Sequence, residues 1–299
     1  MNRLARSFVL PLVFASALAT ALTSAPAAPQ STKPAAAVPS AAAAPKRHAI
    51  EQVAIVGASL SEGFQAPPGW GAAFEASFAR EGKVASNHSS ALVFMDLAGY
   101  GLSQAELALE EAPTLLLAVD YLFWFGYGSQ DVDGKPVADE AQRLEMLERG
   151  LKSLEKFECP LVLGDFPNMS EAVGRILMPA QMPKPETLDK LNARLREWAA
   201  PRENVLVIGL SSWIEQLKSG KSIRIGERTY AAEVTKTWLQ EDRLHPTVAG
   251  LAALATFVQH ELAARKFVAA SDFHSDAAAV LERLKSGAAN GAKAPATAR

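Results

Sequence analysis

From about residue 52 to residue 264 the chain alternates short apolar runs with longer amphipathic stretches, and this alternation narrows the choice of fold more than any other feature. A short apolar run followed by a helix-periodic stretch describes a strand buried on both faces and the helix that covers it, the repeating unit of a parallel sheet. The pattern predicts strands at 52–56, 91–97, 114–125, 160–163 and 205–208. Helices are expected at 70–79, 103–110, 137–157, 186–199 and 247–264, with a small hairpin inside 222–230. Ser103, with Glu106 three residues on, reads as a capping box for the second of these helices. Five strands and their helices make an α/β fold, a three-layer α/β/α sandwich around a five-stranded, mostly parallel sheet of the flavodoxin-like kind. Functional side chains are expected in loops at the carboxyl ends of its strands.

The flanks are of a different character. Arg3 and Arg6 precede an apolar stretch over 8–22 that ends in Ser24, Ala25 and Ala27, the layout of a signal peptide over residues 1–25. Cleavage after Ala25 or after Ala28 fits the small-residue rule. The mature protein is therefore expected in the periplasm or secreted, with no stable membrane span after processing. Residues 26–47 form an Ala/Pro-rich linker that cannot bury enough apolar surface to offset its ordering entropy. A folded domain is expected over 48–268, and a C-terminal helix with a loose tail over 269–299. A net charge of -2 leaves no basic excess, so nucleic acid is not an expected partner. Cys159 is the single cysteine, which rules out an internal disulfide and a cysteine metal cage; beside Leu161 it reads as a core residue.

Directly after the first expected strand comes Gly57-Ala58-Ser59-Leu60-Ser61-Glu62-Gly63. A serine on a strand-to-helix turn stands exposed at the sheet edge, where its own amide can face a reacting carbonyl. Glycine two residues to either side of the serine, as in a nucleophile elbow, is missing because Ser61 occupies the second place, and no Gly-Lys-Ser/Thr phosphate loop follows. By itself such a serine is more often a backbone cap. A nucleophilic serine needs a base, and of the five histidines His245 is the best placed, in Asp242-Arg243-Leu244-His245-Pro246 ahead of the last core helix. An aspartate three residues before it can fold back onto the imidazole and fix its tautomer. His48 lies at the linker's end, His274 near the tail and His260 on a helix, while His88 sits in a loop and stays a candidate.

Together these two blocks resemble those of the SGNH or GDSL hydrolase family. The family's Gly-Asp-Ser-Leu block is matched by Gly57 to Leu60, with Ala58 in place of aspartate, and its Asp-x-x-His block by Asp242 to His245. The resemblance covers roughly residues 53–262 and implies the three-layer fold, a Ser59, Asp242 and His245 triad, no cofactor or metal, and hydrolysis of a small-molecule or glycan ester. It also implies an oxyanion hole made by the Ser59 amide, a glycine amide and an asparagine side chain. For the glycine, Gly101 fits better, with Gly99 the alternative. The asparagine block, Gly-x-Asn-Asp after the third strand, is sought in Phe125-Gly126-Tyr127-Gly128-Ser129-Gln130, where Gly126 matches and Gly128 stands in the asparagine's place. Ser129, Gln130, Asn168 or the Gly128 amide are the substitutes on offer for the lost donor. Trp70, Tyr100, Trp124 and Tyr127 lie near the expected site loops and could floor a pocket, although core burial is the commoner fate of such rings. Three functions fit these residues: an ester hydrolase, an O-acyltransferase acting on envelope glycans, and an envelope binding protein with impaired catalysis.

Overall fold

In a computed structural model of the protein, residues 49–291 are described, apart from Glu81 and Lys83. The expected signal peptide, the linker and residues 292–299 of the tail lie outside them. The first half of the described chain forms β1 (Val53–Ile55), α1 (Ser59–Glu62), α2 (Trp70–Ala76), β2 (Val84–Asn87), α3 (Ser103–Glu110), β3 (Leu115–Ala118), α4 (Phe123–Tyr127) and α5 (Glu140–Ser153). There follow β4 (Leu161–Gly164), α6 (Pro185–Ala199), β5 (Val205–Ile208), α7 (Leu210–Lys218), the antiparallel pair β6 (Ile223–Ile225) and β7 (Arg228–Tyr230), α8 (Ala232–Thr235), α9 (Val248–Ala264) and α10 (Ala277–Gly291).

The five long-range strands form one sheet in the order β2-β1-β3-β4-β5, every pairing parallel. β1, β3 and β4 are buried at every position, as strands covered on both faces must be. Helices α2, α9 and α10 pack on one another, and α5 packs on both α4 and α6, giving the two helical layers of the sandwich. α9 is buried at Leu251, Ala252, Leu254, Ala255, Val258 and Leu262, each large apolar side chain contributing about 1.5–3 kcal/mol on leaving water. α10 belongs to the packed body: Val280 and Leu284 are buried, and Arg283 Nε donates to the Ala76 carbonyl at 2.7 Å. No helix among the described residues is long and apolar enough to cross a membrane.

Three expected elements fall elsewhere. The second strand is not 91–97 but Val84–Asn87. As an edge strand it is only partly buried and has no need of an apolar run, whereas Ala91–Phe94 coils into a 3-10 turn with Val93 inward. The long apolar run 114–125 is a strand only as far as Ala118; the chain then turns, and Phe123–Tyr127 becomes α4. An apolar run suits a buried strand and a buried helix equally, and packing chooses between them. Ser103 makes no capping box, because α3 continues from a π-helical turn over Leu97–Leu102, and its hydroxyl instead donates back to the Gly99 carbonyl.

Strand order reverses between β1 and β3, which lie side by side but lead away in opposite directions across the sheet. In sheets of this order the crevice at the carboxyl ends of those strands is where ligands bind. Ser59 follows β1 and Asp120 follows β3 into that crevice.

Candidate active site

Ser59 opens the single-turn helix α1 directly after the Gly57-Ala58 turn. The turn is tight enough to require glycine at position 57: a Cβ there would lie 2.2 Å from Asp120 Oδ1 and 2.4 Å from Ser61 Oγ. The Gly57 amide donates to Gln104 Oε1 at 2.7 Å, and Asn87 Nδ2 donates to the Ser61 carbonyl at 3.1 Å, so α3 and β2 both brace the turn. Gly63, at φ 87, ends the helix by folding its amide onto the Ser59 and Leu60 carbonyls.

On the opposite side, Arg243 takes a left-handed backbone, φ 62, and is held there by its ion pair with Glu171 at 2.8 Å. The reversal brings the Leu244 and His245 amides to Asp242 Oδ1, at 2.9 and 3.0 Å, and leaves Asp242 Oδ2 2.7 Å from His245 Nδ1. His245 Nε2 lies 2.7 Å from Ser59 Oγ. With Nδ1 donating to the carboxylate, Nε2 is free to accept the serine proton. The Phe64 ring covers the imidazole, centroid to centroid 4.7 Å, and His245 is buried. Burial raises the Asp242 carboxyl, but hydrogen bonds from the His245 ring and from the His245 and Leu244 amides outweigh it, and the net shift is below the usual carboxylate value. An ionised aspartate at this position stabilises an imidazolium.

Asp120 is a member of this site that the sequence pattern missed. Its Oδ2 accepts from the Leu60 and Ser61 amides at 2.9 and 3.3 Å, and its Oδ1 from Ser61 Oγ at 2.5 Å. The Ser59 amide, between these groups, has no acceptor among the described residues. β3 ends at Ala118, and Asp120 stands two residues beyond it, in the turn that leads to α4.

Gly128 is not part of the site. It ends α4, its amide donates to the Trp124 carbonyl at 2.8 Å, and its carbonyl, with that of Gly126, accepts from the buried Arg143 guanidinium. The Gly126-Tyr127-Gly128 segment is a structural clamp. Gly101 lies in the turn leading into α3, packed against Phe125 and Val93, and does not line the pocket beside Ser59. Gly99 sits in the same turn with its amide on Asp96. Among the substitute donors, Ser129 and Gln130 pair with Val137 and Pro136 in a loop, and Asn168 Oδ1 accepts from the Ser170 amide. His88 is paired with Glu111 at 3.1 Å. Trp70, Trp124 and Tyr127 are core residues and Tyr100 is exposed; none of the four lines the pocket.

That pocket opens on Ser59 and His245 and is walled mainly by apolar side chains, among them Leu60, Phe123, Phe166, Trp213 and Ile214. Among the described residues no group of three or more His, Cys, Asp or Glu is placed to hold a metal ion.

No protein-family model matches the chain, and no curated protein matches it. Among solved structures it is similar to TesA, with a TM-score of 0.44 at 19% identity over 72% of this chain and 99% of that one. It is similar to protein YXIM from Bacillus subtilis, with a TM-score of 0.44 at 17% identity over 74% of this chain, which spans 58% of that protein. It is also similar to Axe2, an acetyl-xylooligosaccharide esterase from Geobacillus stearothermophilus, with a TM-score of 0.45 at 17% identity over 73% of this chain and 96% of that one. Likeness of this degree carries no argument about activity, which rests on the site itself. By its serine turn, its Asp-x-x-His block and the parallel sheet that unites them, the chain resembles the SGNH or GDSL hydrolases.

Proposed function

We propose that the protein is an exported serine hydrolase that cleaves carboxylic esters of small molecules or glycans. The observation that carries this reading is the unbroken chain Asp242 Oδ2, His245 Nδ1, His245 Nε2, Ser59 Oγ, with 2.7 Å at both contacts, at the mouth of an apolar pocket. His245 Nε2 takes the Ser59 proton as Oγ attacks the ester carbonyl, and Asp242 holds the imidazolium that forms. The unpaired Ser59 amide is available to the developing oxyanion at the amino end of α1. Collapse expels the alcohol, which takes the proton from His245. Water, deprotonated by the same imidazole, then frees the acyl group from Ser59. The signal-peptide layout of residues 1–25 supports an activity outside the cytoplasmic membrane.

The test is labelling by a fluorophosphonate probe together with hydrolysis of short p-nitrophenyl esters. Wild-type protein should be labelled at Ser59 and turn the esters over, and Ser59→Ala should do neither. Labelling that survives Ser59→Ala would place the nucleophile elsewhere.

A further inference from the structure

Ser59 and His245 are carried by two segments that are each closed on themselves. In the first, the Gly63 and Phe64 amides both donate to the Ser59 carbonyl, at 3.1 and 2.9 Å. In the second, the Gln240 amide donates to the His245 carbonyl at 2.8 Å and the Arg243 amide to the Gln240 carbonyl at 3.1 Å, which folds 240–245 into a loop around Asp242. Neither set of bonds fixes the gap between the two segments. Proton transfer from Ser59 Oγ to His245 Nε2 nevertheless needs the two atoms within about 2.6–3.2 Å.

Among the described residues, hydrogen bonds join 57–64 to 240–247 at two places, the Ser59–His245 contact itself and the side chain of Gln240. Gln240 Nε2 donates to the Phe64 carbonyl at 3.0 Å and to the Pro246 carbonyl at 2.8 Å. A side-chain amide has two N–H groups, and both are used, one across the gap and one within the histidine segment. The second bond aims the first. Both partners are carbonyls, so turning the amide over would set its own oxygen against them. Phe64 completes the circuit: its amide is on the Ser59 carbonyl, its carbonyl on Gln240, and its ring on the imidazole at 4.7 Å.

We propose that Gln240 is a positioning residue for proton transfer, setting the distance from Ser59 Oγ to His245 Nε2 by holding the Phe64 carbonyl to the histidine segment. It touches neither reacting atom and does not line the pocket beside Ser59. This rests on the reading of Ser59 as nucleophile and His245 as its base.

The experiment compares wild-type protein with Gln240→Met, which keeps the length of the side chain and loses both donors, and with Gln240→Asn, whose amide stops one methylene short. On short p-nitrophenyl esters kcat should fall by about 10–100-fold in both, the loss that a misplacement of about 1 Å brings. KM should stay within about twofold, because the pocket walls are untouched. The deshielded proton NMR signal of His245 Nδ1–H should persist in both variants, since the Asp242 contact is made inside its own loop. Should Gln240→Met not fold, Gln240→Asn decides the matter. A kcat within about threefold of wild type, a loss carried by KM alone, or disappearance of the His245 signal would overturn the role of Gln240 while Ser59 labelling stands. Wild-type protein that is neither labelled nor active on esters would take down the hydrolase reading and this proposal with it.

Discussion

Asp120 and Ser61 are joined twice, the Ser61 hydroxyl donating to Oδ1 at 2.5 Å and the Ser61 amide to Oδ2 at 3.3 Å. Through this contact the end of β3 holds the first turn of α1 and so the direction in which Ser59 points. Asp120→Ala would leave the Leu60 and Ser61 amides without their acceptor, a loss of about 1–3 kcal/mol for a buried donor. We expect kcat on short esters to fall by about 10–100-fold and Asp120→Asn, which keeps one carbonyl oxygen, to restore most of it. A kcat unchanged in Asp120→Ala would show that the turn holds its shape unaided.

The same residue makes stability depend on pH. Burial raises the Asp120 carboxyl above its usual value, against the pull of Ser61 and the backbone amides of Ala58, Ser61 and Leu60. The folded protein then holds the proton more tightly than the unfolded chain, so the stability this provides is complete below the unfolded value, about 4, and declines as pH climbs from there through the folded value. Thermal melts between pH 4 and 8 should show Asp120→Asn gaining on wild type as pH rises. A constant gap between the two would contradict the assignment.

For the proposed triad, Asp242→Asn should cut kcat by about 10⁴-fold, because an amide cannot hold His245 in the tautomer that leaves Nε2 free. Its Oδ1 still accepts from the Leu244 and His245 amides, so the melting temperature should move far less than the rate. A rate within tenfold of wild type would remove Asp242 from the mechanism.

Gln104 reaches the Ser59 turn from α3, taking the Gly57 amide at 2.7 Å and giving its own amide to the Tyr100 carbonyl. Gln104→Ala should lower stability by about 1–3 kcal/mol and depress kcat more than it raises KM, since it loosens the turn and not the pocket. Urea unfolding and steady-state kinetics on one preparation test both.

Gly128→Asn should bring no gain in turnover. A Cβ at 128 would lie 2.6 Å from the Trp124 carbonyl and 3.0 Å from Met146 Cε, so the new side chain crowds the core behind α4 and not the oxyanion. A loss of about 1–3 kcal/mol in stability is expected. An increase in kcat would return Gly128 to the site.

What the sequence by itself determined about this protein is local or periodic. The apolar runs at 205–208 and 160–163 and the helix over 247–264 lie within a residue or so of β5, β4 and α9, because a strand or helix buried in the sandwich must carry its apolar pattern continuously. Asp242 and His245 meet because three residues and one left-handed turn suffice to bring their side chains together.

Only the tertiary structure decided which residues meet across the sheet. Ser59 and His245 are 186 positions apart, and their 2.7 Å contact follows from where β1 and the loop before α9 emerge at one end of the sandwich. Asp120 was hidden for a related reason. One charged residue inside an otherwise apolar run does not by itself mark where strand gives way to turn, and the end of β3 at Ala118 was set by its pairing with β1 and β4.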